Sequence, residues 1–422
     1  MALEVRGMNL IKENKNFRLV FFGALVSSIG DVLFNFAIGL YILDITHSAF
    51  MLSLYGVVGG VTWILLAPFG GVWVDRLSRV KIIYWTDLIR GCTFLLCGMM
   101  MVFMKDHTLL MIGLCVTSII SAMNGALFGP ASQAIIPLTV ECDKLMKANS
   151  LMSLMYGIKD VIGMLVAGVL YAWIGPIIIV FINGISFIIS GITERFISIE
   201  ETVSESKSQV LKEFKEGFGY IISQNKAIVF LLVIINLKNL ALGPIQSVLV
   251  PYLMSEQLQA NEMHLSYLYV AMALGGVVGS LLLSQNYFKD KTFQIMKISL
   301  FILMITLVFQ WGIFHLLLID VVSYLGFLIV LFLVFVISGS INVLFYVPIM
   351  VSLQQLVHAD FYGRVMSLFT MISSITTPIS LMVGGVIIDY LGIDAMYIFS
   401  MIFLVISLVF IKNLKKVATA TF

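Results

Sequence analysis

SLMSLMYGIKDVIGMLVAGVLYAWIG (residues 150–175) and SLFTMISSITTPISLMVGGVIIDYLG (residues 367–392) lie over one another when the chain is shifted by 217 positions. Ser150 then meets Ser367, Gly168 meets Gly385 and Gly175 meets Gly392, while upstream Phe128 falls on Phe345. Near the start of each half a shift of 211 puts Tyr41 on Tyr252 and Asn35 on Gln246, the difference being absorbed by a longer loop in the second half. The two halves read as parallel repeats of one unit.

Each quoted stretch is apolar over about the 20 residues that a helix needs to cross a bilayer. The whole chain shares that character. Its 422 residues are 60% hydrophobic and 11% charged, with a mean hydropathy of +1.06, where a soluble domain carries roughly 25% charged residues. That balance excludes a soluble protein. Twelve apolar runs follow, over 17–43, 49–74, 80–104, 108–130, 151–173, 176–196, 227–253, 263–285, 292–314, 319–345, 365–388 and 394–412. The first is too long for the apolar core of a cleaved signal, so it is expected to stay in the membrane. The fold predicted is an all-α membrane protein: a six-helix bundle over 1–196, a cytoplasmic linker over 197–226 and a second six-helix bundle over 227–422.

Orientation follows from lysine and arginine placement. With both termini on one side, that side holds 21 of the 25 basic residues, and the opposite loops hold Lys105 alone. Both termini are therefore expected in the cytoplasm. In the linker, Val210, Leu211, Phe214, Phe218 and Ile221 recur at helical spacing, which suggests an amphipathic helix on the membrane surface. Cys92, Cys97, Cys115 and Cys142 have no metal-ligand spacing and read as small apolar fillers.

Parallel six-span repeats are an architecture of secondary transporters, whose substrate site lies at the midplane between the halves. No G-x-x-x-x-G-K-[ST] segment is present to bind a nucleotide. Nor does a catalytic constellation appear, since His47, His107, His264, His315 and His358 all lie in or near loops. The chain is read as no enzyme, with no cofactor and no metal.

After the second span comes GGVWVDRLSRVK (70–81), in which Gly71, Asp75, Arg76 and Arg79 match four positions of G-x-x-x-D-R-x-G-R-[RK]. That motif resembles the loop between spans two and three of the major facilitator superfamily. Ser78 replaces the second glycine and Lys81 sits one place late. Glycine permits close helix approach, an aspartate can receive the amides of a helix N-terminus, and arginine offers forked donors to carboxylates. The resemblance implies a gate at Gly71, Asp75, Arg76 and Arg79, with Arg364 of GRVMSL (363–368) joining it. FGPASQAIIPLTVECDKLMKANSL (128–151), Asp87 and Arg90 of TDLIRG, and GRVMSL narrow the likeness to the macrolide-efflux branch of drug:proton antiporters, which also resembles siderophore exporters. Gly157, Gly163 and Gly168 are similar to the glycine-rich antiporter motif, without its proline.

One charge stands inside the first span. Steps of four from Gly23 give Ser27, Asp31, Asn35 and Gly39, a continuous small and polar stripe. Asp31 lies about 21 Å from Phe17 at 1.5 Å per residue, a little beyond the midplane. A bare carboxylate there costs roughly 2.5 to 3.5 kcal/mol, so such residues mark pathways or proton relays. Asp31 is the expected proton carrier. Its counterpart Leu242 is no acid, but Asn236, Asn239, Gly243 and Gln246 share one face of the seventh span. With Asn35, Asn124 and Asn342 these amides are candidates to line a substrate pocket. Asp87 and Arg90, spaced i, i+3, are expected to pair with each other. Lys159 and Asp160, being adjacent, are expected to point apart and to need other partners, in a buried charge network with Asp87 and Arg90. Lys238 lies off the amide stripe, to snorkel or to pair.

The function expected is proton-coupled export of amphipathic, macrolide-like drugs by a monomer that meets small-molecule substrate, protons and lipid, and no nucleic acid. An exporter of an endogenous metabolite, siderophore or peptide, or an uncoupled lipid or solute facilitator, remains open.

Overall fold

A computed structural model describes residues 10–201, 218–221, 226–283, 292–357 and 362–418. Twelve helices run through it: α1 (Lys15–Thr46), α2 (Ala49–Arg76), α3 (Arg79–Phe103), α4 (His107–Thr139), α5 and α6 (one continuous element, Leu145–Glu194), α7 (Ala227–Gln257), α8 (Glu262–Leu283), α9 (Thr292–Leu318), α10 (Tyr324–Leu356), α11 (Tyr362–Leu391) and α12 (Ile393–Ala418). Among the described residues there is no strand. Eleven elements are long and apolar enough to span a membrane, and the 50-residue element is two such helices meeting at Gly175, whose φ of 73° and ψ of 170° break the helix. The twelve spans are therefore present.

The break recurs at the glycine that the 217-residue shift places on Gly175. Gly175 and Gly392, which the 217-residue shift superimposes, are the described glycines with positive φ, at 73° and 88°. A residue with a Cβ is disfavoured in that region, so glycine ends one helix and opens the next. Pro176 follows at once, where a helix start tolerates its missing N–H.

Helix ends show what hydropathy could not. The tenth run was expected from residue 319, yet α10 begins at Tyr324 because Ser323 caps it, its hydroxyl accepting from Gly326 N at 3.2 Å, after a turn with Asp320 at φ 56°. Asp106 caps α4 in the same way through Thr108 N and Leu109 N. Apolar residues outside a cap belong to the turn.

The chain divides into two compact units, Met1–Thr46 with Val58–Ser208, and His47–Val57 with Gln209–Phe422. In the first unit α1 packs on α5 and α6, and α3 packs on α4 and α6. In the second, α8 and α9 pack on α10, and α11 and α12 pack on α7. The start of α2 belongs to the second unit. There Asp389 caps it, accepting from Ser48 Oγ, Ala49 N at 2.9 Å and Phe50 N at 3.0 Å. Of the surface helix expected in the linker, Val210, Leu211 and Phe214 lie outside the described residues; Ile221 is buried and Phe218 is exposed.

Candidate functional site

Small residues bring the first unit's polar side chains together. A Cβ on Gly91 would press on Gly184 O at 2.9 Å, one on Gly191 on Tyr84 O at 2.9 Å, and one on Gly184 on Leu95 at 2.8 Å. Backbones of α3 and α6 can approach this closely only because side chains are missing there. On α1, Gly23 lies against Glu194 and Gly30 against Asn183. A three-helix seam results, lined by Ser27 and Asp31 from α1, Asp87 and Arg90 from α3, and Asn183, Phe187, Ser190 and Glu194 from α6.

Asp31 forms an ion pair with Arg90 in this seam. The arginine side chain is 8% exposed and the aspartate side chain 35%. Arg90 also lies over the Phe187 ring at 4.5 Å and near Phe94 at 5.8 Å, a stacking that Lys could not reproduce. Asp87, fully buried, accepts from Ser27 Oγ at 2.7 Å. The expected Asp87–Arg90 pair is thus corrected. Residues one turn apart can pair, but Arg90 finds a carboxylate across the seam, and Ser27, one turn before Asp31, serves Asp87.

Lys159 and Asp160 are corrected too. Their side chains do not diverge to separate partners, since Lys159 Nζ donates to Asp160 Oδ1 at 3.1 Å. The lysine stem is long and flexible enough to fold back on its neighbour.

Among the amides, Asn124 Nδ2 donates to Ile120 O at 2.7 Å, one turn back on its own helix, and Asn35 is exposed. In the second unit, Asn236 donates to Leu232 O at 2.7 Å and accepts from Thr376 of α11. Lys238 Nζ donates to Asn342 Oδ1 of α10 at 2.6 Å, so this lysine pairs. Asn239 and Gln246 are half-buried. Gln246 lines an internal cavity of about 10 Å³ with Leu242, Thr306, Gln310 and Ser338. That is about the space of one water, and Gln310 Oε1 and Ser338 Oγ are buried there without a hydrogen-bond partner. The amide stripe thus divides between a helix-helix contact at Asn236, a partner for Lys238 at Asn342, and a small polar cavity at Gln246.

Of the gate residues, Arg76 is exposed and Arg79 half-buried, while the side chains of Gly71, Asp75 and Arg364 lie outside the described residues. A helix cap does exist in this region: Ser78 Oγ accepts from Lys81 N at 3.3 Å at the start of α3, and a second residue adds to it. Glu201 accepts from Arg79 N at 2.7 Å, Val80 N at 3.1 Å and Ser78 Oγ at 3.2 Å, a carboxylate at the positive end of α3. Glu201, Asp389 and Glu194 were not singled out from sequence. Glu194 carried a readable signal, being an acid inside the span 176–196 with a serine one turn before it; the two caps carried none.

Eleven described elements long and apolar enough to cross a membrane, one of them two helices joined at Gly175, define a multi-span membrane protein. The chain belongs to the Major Facilitator Superfamily, whose sequence model matches residues 20–379. It is similar to macrolide efflux protein A of Streptococcus pyogenes, at 26% identity over 399 residues, covering 92% of this chain and 94% of the relative. The protein of the same name from Enterococcus faecalis is 27% identical over 342 residues, covering 79% and 99%. Among solved structures, a bacterial homologue of the iron transporter ferroportin in an inward-facing state matches with a TM-score of 0.73 at 17% identity, over 94% of this chain and 98% of that one. The nucleoside transporter NupG matches with a TM-score of 0.70 at 11% identity, over 95% and 98%. These structures share the fold.

Proposed function

We propose that this transporter exports amphipathic drugs of the macrolide type in exchange for protons, by alternating access, as a monomer in a bacterial plasma membrane with both termini in the cytoplasm. The observation that carries the reading is the Asp31–Arg90 pair, an acid inside the first span held by an arginine of a neighbouring helix. A carboxylate in that setting exchanges a proton when its surroundings change, because burial opposes its charge and the arginine supports it. A cationic or protonated substrate competes with Arg90 for the same oxygen atoms. The macrolide-efflux relatives, aligned over almost the full length of both chains, support the choice of substrate. The gate is assigned to Gly71, Asp75, Arg76, Arg79 and Arg364, and substrate contacts to Asn35, Asn124, Asn236, Asn239, Gln246 and Asn342.

The experiment is a compound-susceptibility panel in an efflux-deficient host, with and without a protonophore. Macrolide tolerance raised by the wild type, lost on adding protonophore and absent in Asp31→Asn, is the expected result. Unchanged macrolide susceptibility would end the drug reading. A second reading, export of a small polar metabolite, is favoured by Lys238: its ammonium, held by an amide oxygen instead of a carboxylate, retains two donors for an anionic group. Uptake or release of labelled anionic metabolites that depends on Lys238 distinguishes the two.

A further inference from the structure

We propose that Asp87 and Glu194 form a second proton-binding site in the first unit, with at least one of the two carboxyl groups protonated, separate from Asp31.

Four observations converge on it. Asp87 is 0% exposed and Glu194 is 1% exposed, so neither carboxyl reaches water. Asp87 Oδ1 and Glu194 Oε2 are both buried without a hydrogen-bond partner. Both lie in one seam: Gly23 of α1 abuts Glu194, Ser27 one turn on donates to Asp87 at 2.7 Å, and Ser190 donates to Glu194 Oε1 at 3.4 Å. And the charges around them do not balance.

Every charged group facing the seam can be named. From α1 comes Asp31; from α3 come Asp87 and Arg90; from α5 come Lys159 and Asp160, bound to each other. From α6 comes Glu194, while the next residue, Arg195, is exposed. Between His107 and Thr139 α4 carries no lysine, arginine, aspartate or glutamate. Among the described residues Arg90 is the one guanidinium in the seam, and Asp31 holds it. Asp87 and Glu194 are left with hydroxyl donors alone, Ser27 and Ser190.

Two ionised carboxylates confined to one water-free site repel each other and lose their hydration, and neither cost is offset by two serine hydroxyls. One proton removes the repulsion between them and the desolvation of one of the two charges, as in other paired carboxyl sites. It also supplies a donor for an oxygen that now lacks one. Gly23 makes room for this, since a Cβ there would collide with Glu194 Oε1.

The site is linked to the pair above it through Arg90. While Arg90 serves Asp31, the acid pair keeps its proton. Were Asp31 protonated or taken by a cation, Arg90 could turn one helical turn to Asp87, with which it shares the i, i+3 spacing. The acid pair would then release its proton through Glu194, the last residue of α6. This use in transport rests on the proton-exchange reading above; the proton-binding site itself does not.

Infrared spectroscopy of the purified, full-length protein in lipid tests it. A carbonyl stretch of protonated carboxylic acid at neutral pH is expected in the wild type and in Glu141→Gln. It should disappear in the double variant Asp87→Asn with Glu194→Gln, whose amides mimic the protonated state and should fold. If the variant yields no protein, the wild type grown with carbon-13-labelled aspartate and glutamate replaces it: the band must shift on labelling. No band at neutral pH, a band that survives the double substitution, or one that ignores the label overturns the proposal. Transport that ignores a protonophore would sink the exchange reading while leaving this band in place.

Discussion

Arg90 on α3 is bound to Asp31 of α1, across a helix seam, and not to Asp87 one turn away on its own helix. A guanidinium stacked on Phe187 and paired across the seam ties two helices together, whereas an i, i+3 pair would only have decorated one. The same geometry leaves Asp87 to Ser27 and sets up the uncompensated pair with Glu194.

Removing one member of the Asp31–Arg90 pair should cost more than removing both. Loss of one partner from a buried pair costs about 3 to 5 kcal/mol, while joint replacement is often near neutral; the 35% exposure of Asp31 places the single loss at or below the low end. Thermal unfolding in detergent should therefore show Asp31→Asn less stable than the double variant Asp31→Asn with Arg90→Gln. Equal melting temperatures for the two would contradict the pairing.

Glycines in the α3–α6 seam should not tolerate a side chain. Gly91→Val meets Gly184 O and Ile188, and overpacking costs typically 1 to 3 kcal/mol. Gly157→Ala, with open space around it, should stay within about 0.5 kcal/mol of wild type. Melting temperatures of the two variants, measured side by side, check the contrast.

Gly175 and Gly392 also stand in open space, but their positive φ makes substitution costly for a different reason. Alanine at either should lower stability by about 1 to 2 kcal/mol, the strain of a left-handed residue with a Cβ. Asparagine, which visits that region more readily, should cost less. If Gly175→Ala and Gly175→Asn unfold together at the wild-type temperature, the break does not require this conformation.

Asp389→Ala should loosen the start of α2, because it strips three acceptor contacts from Ser48, Ala49 and Phe50. Loss of a helix cap costs about 0.5 to 2 kcal/mol. Hydrogen exchange should accelerate at the amides of residues 49 to 51 and not at the start of α3, where Ser78 and Glu201 are the caps. Uniform protection across both helix starts would contradict that division of roles.

Much of the architecture was legible because it follows from periodic properties of the chain. Apolar runs of membrane length located the spans, and the repeat superimposed Gly175 on Gly392; that the backbone breaks at both is read from their positive φ. Of the stripe Gly23, Ser27, Asp31, Asn35 and Gly39, the first two are buried, Asp31 and Gly39 are half-buried and Asn35 is exposed. Asn124 reads differently: its amide bonds to its own helix at Ile120 O.

Partner choice was decided by the tertiary structure alone. Spacing along a helix tells which residues share a face, but not which face of which neighbour lies opposite. Arg90 could reach Asp87 by sequence and reaches Asp31 in space; Lys159 folds onto its own neighbour; Glu201 and Asp389 cap helices 122 and 340 positions away. Each of these contacts needs two distant segments brought within hydrogen-bonding reach, and that depends on how glycines such as Gly91 and Gly184 let the helix backbones approach.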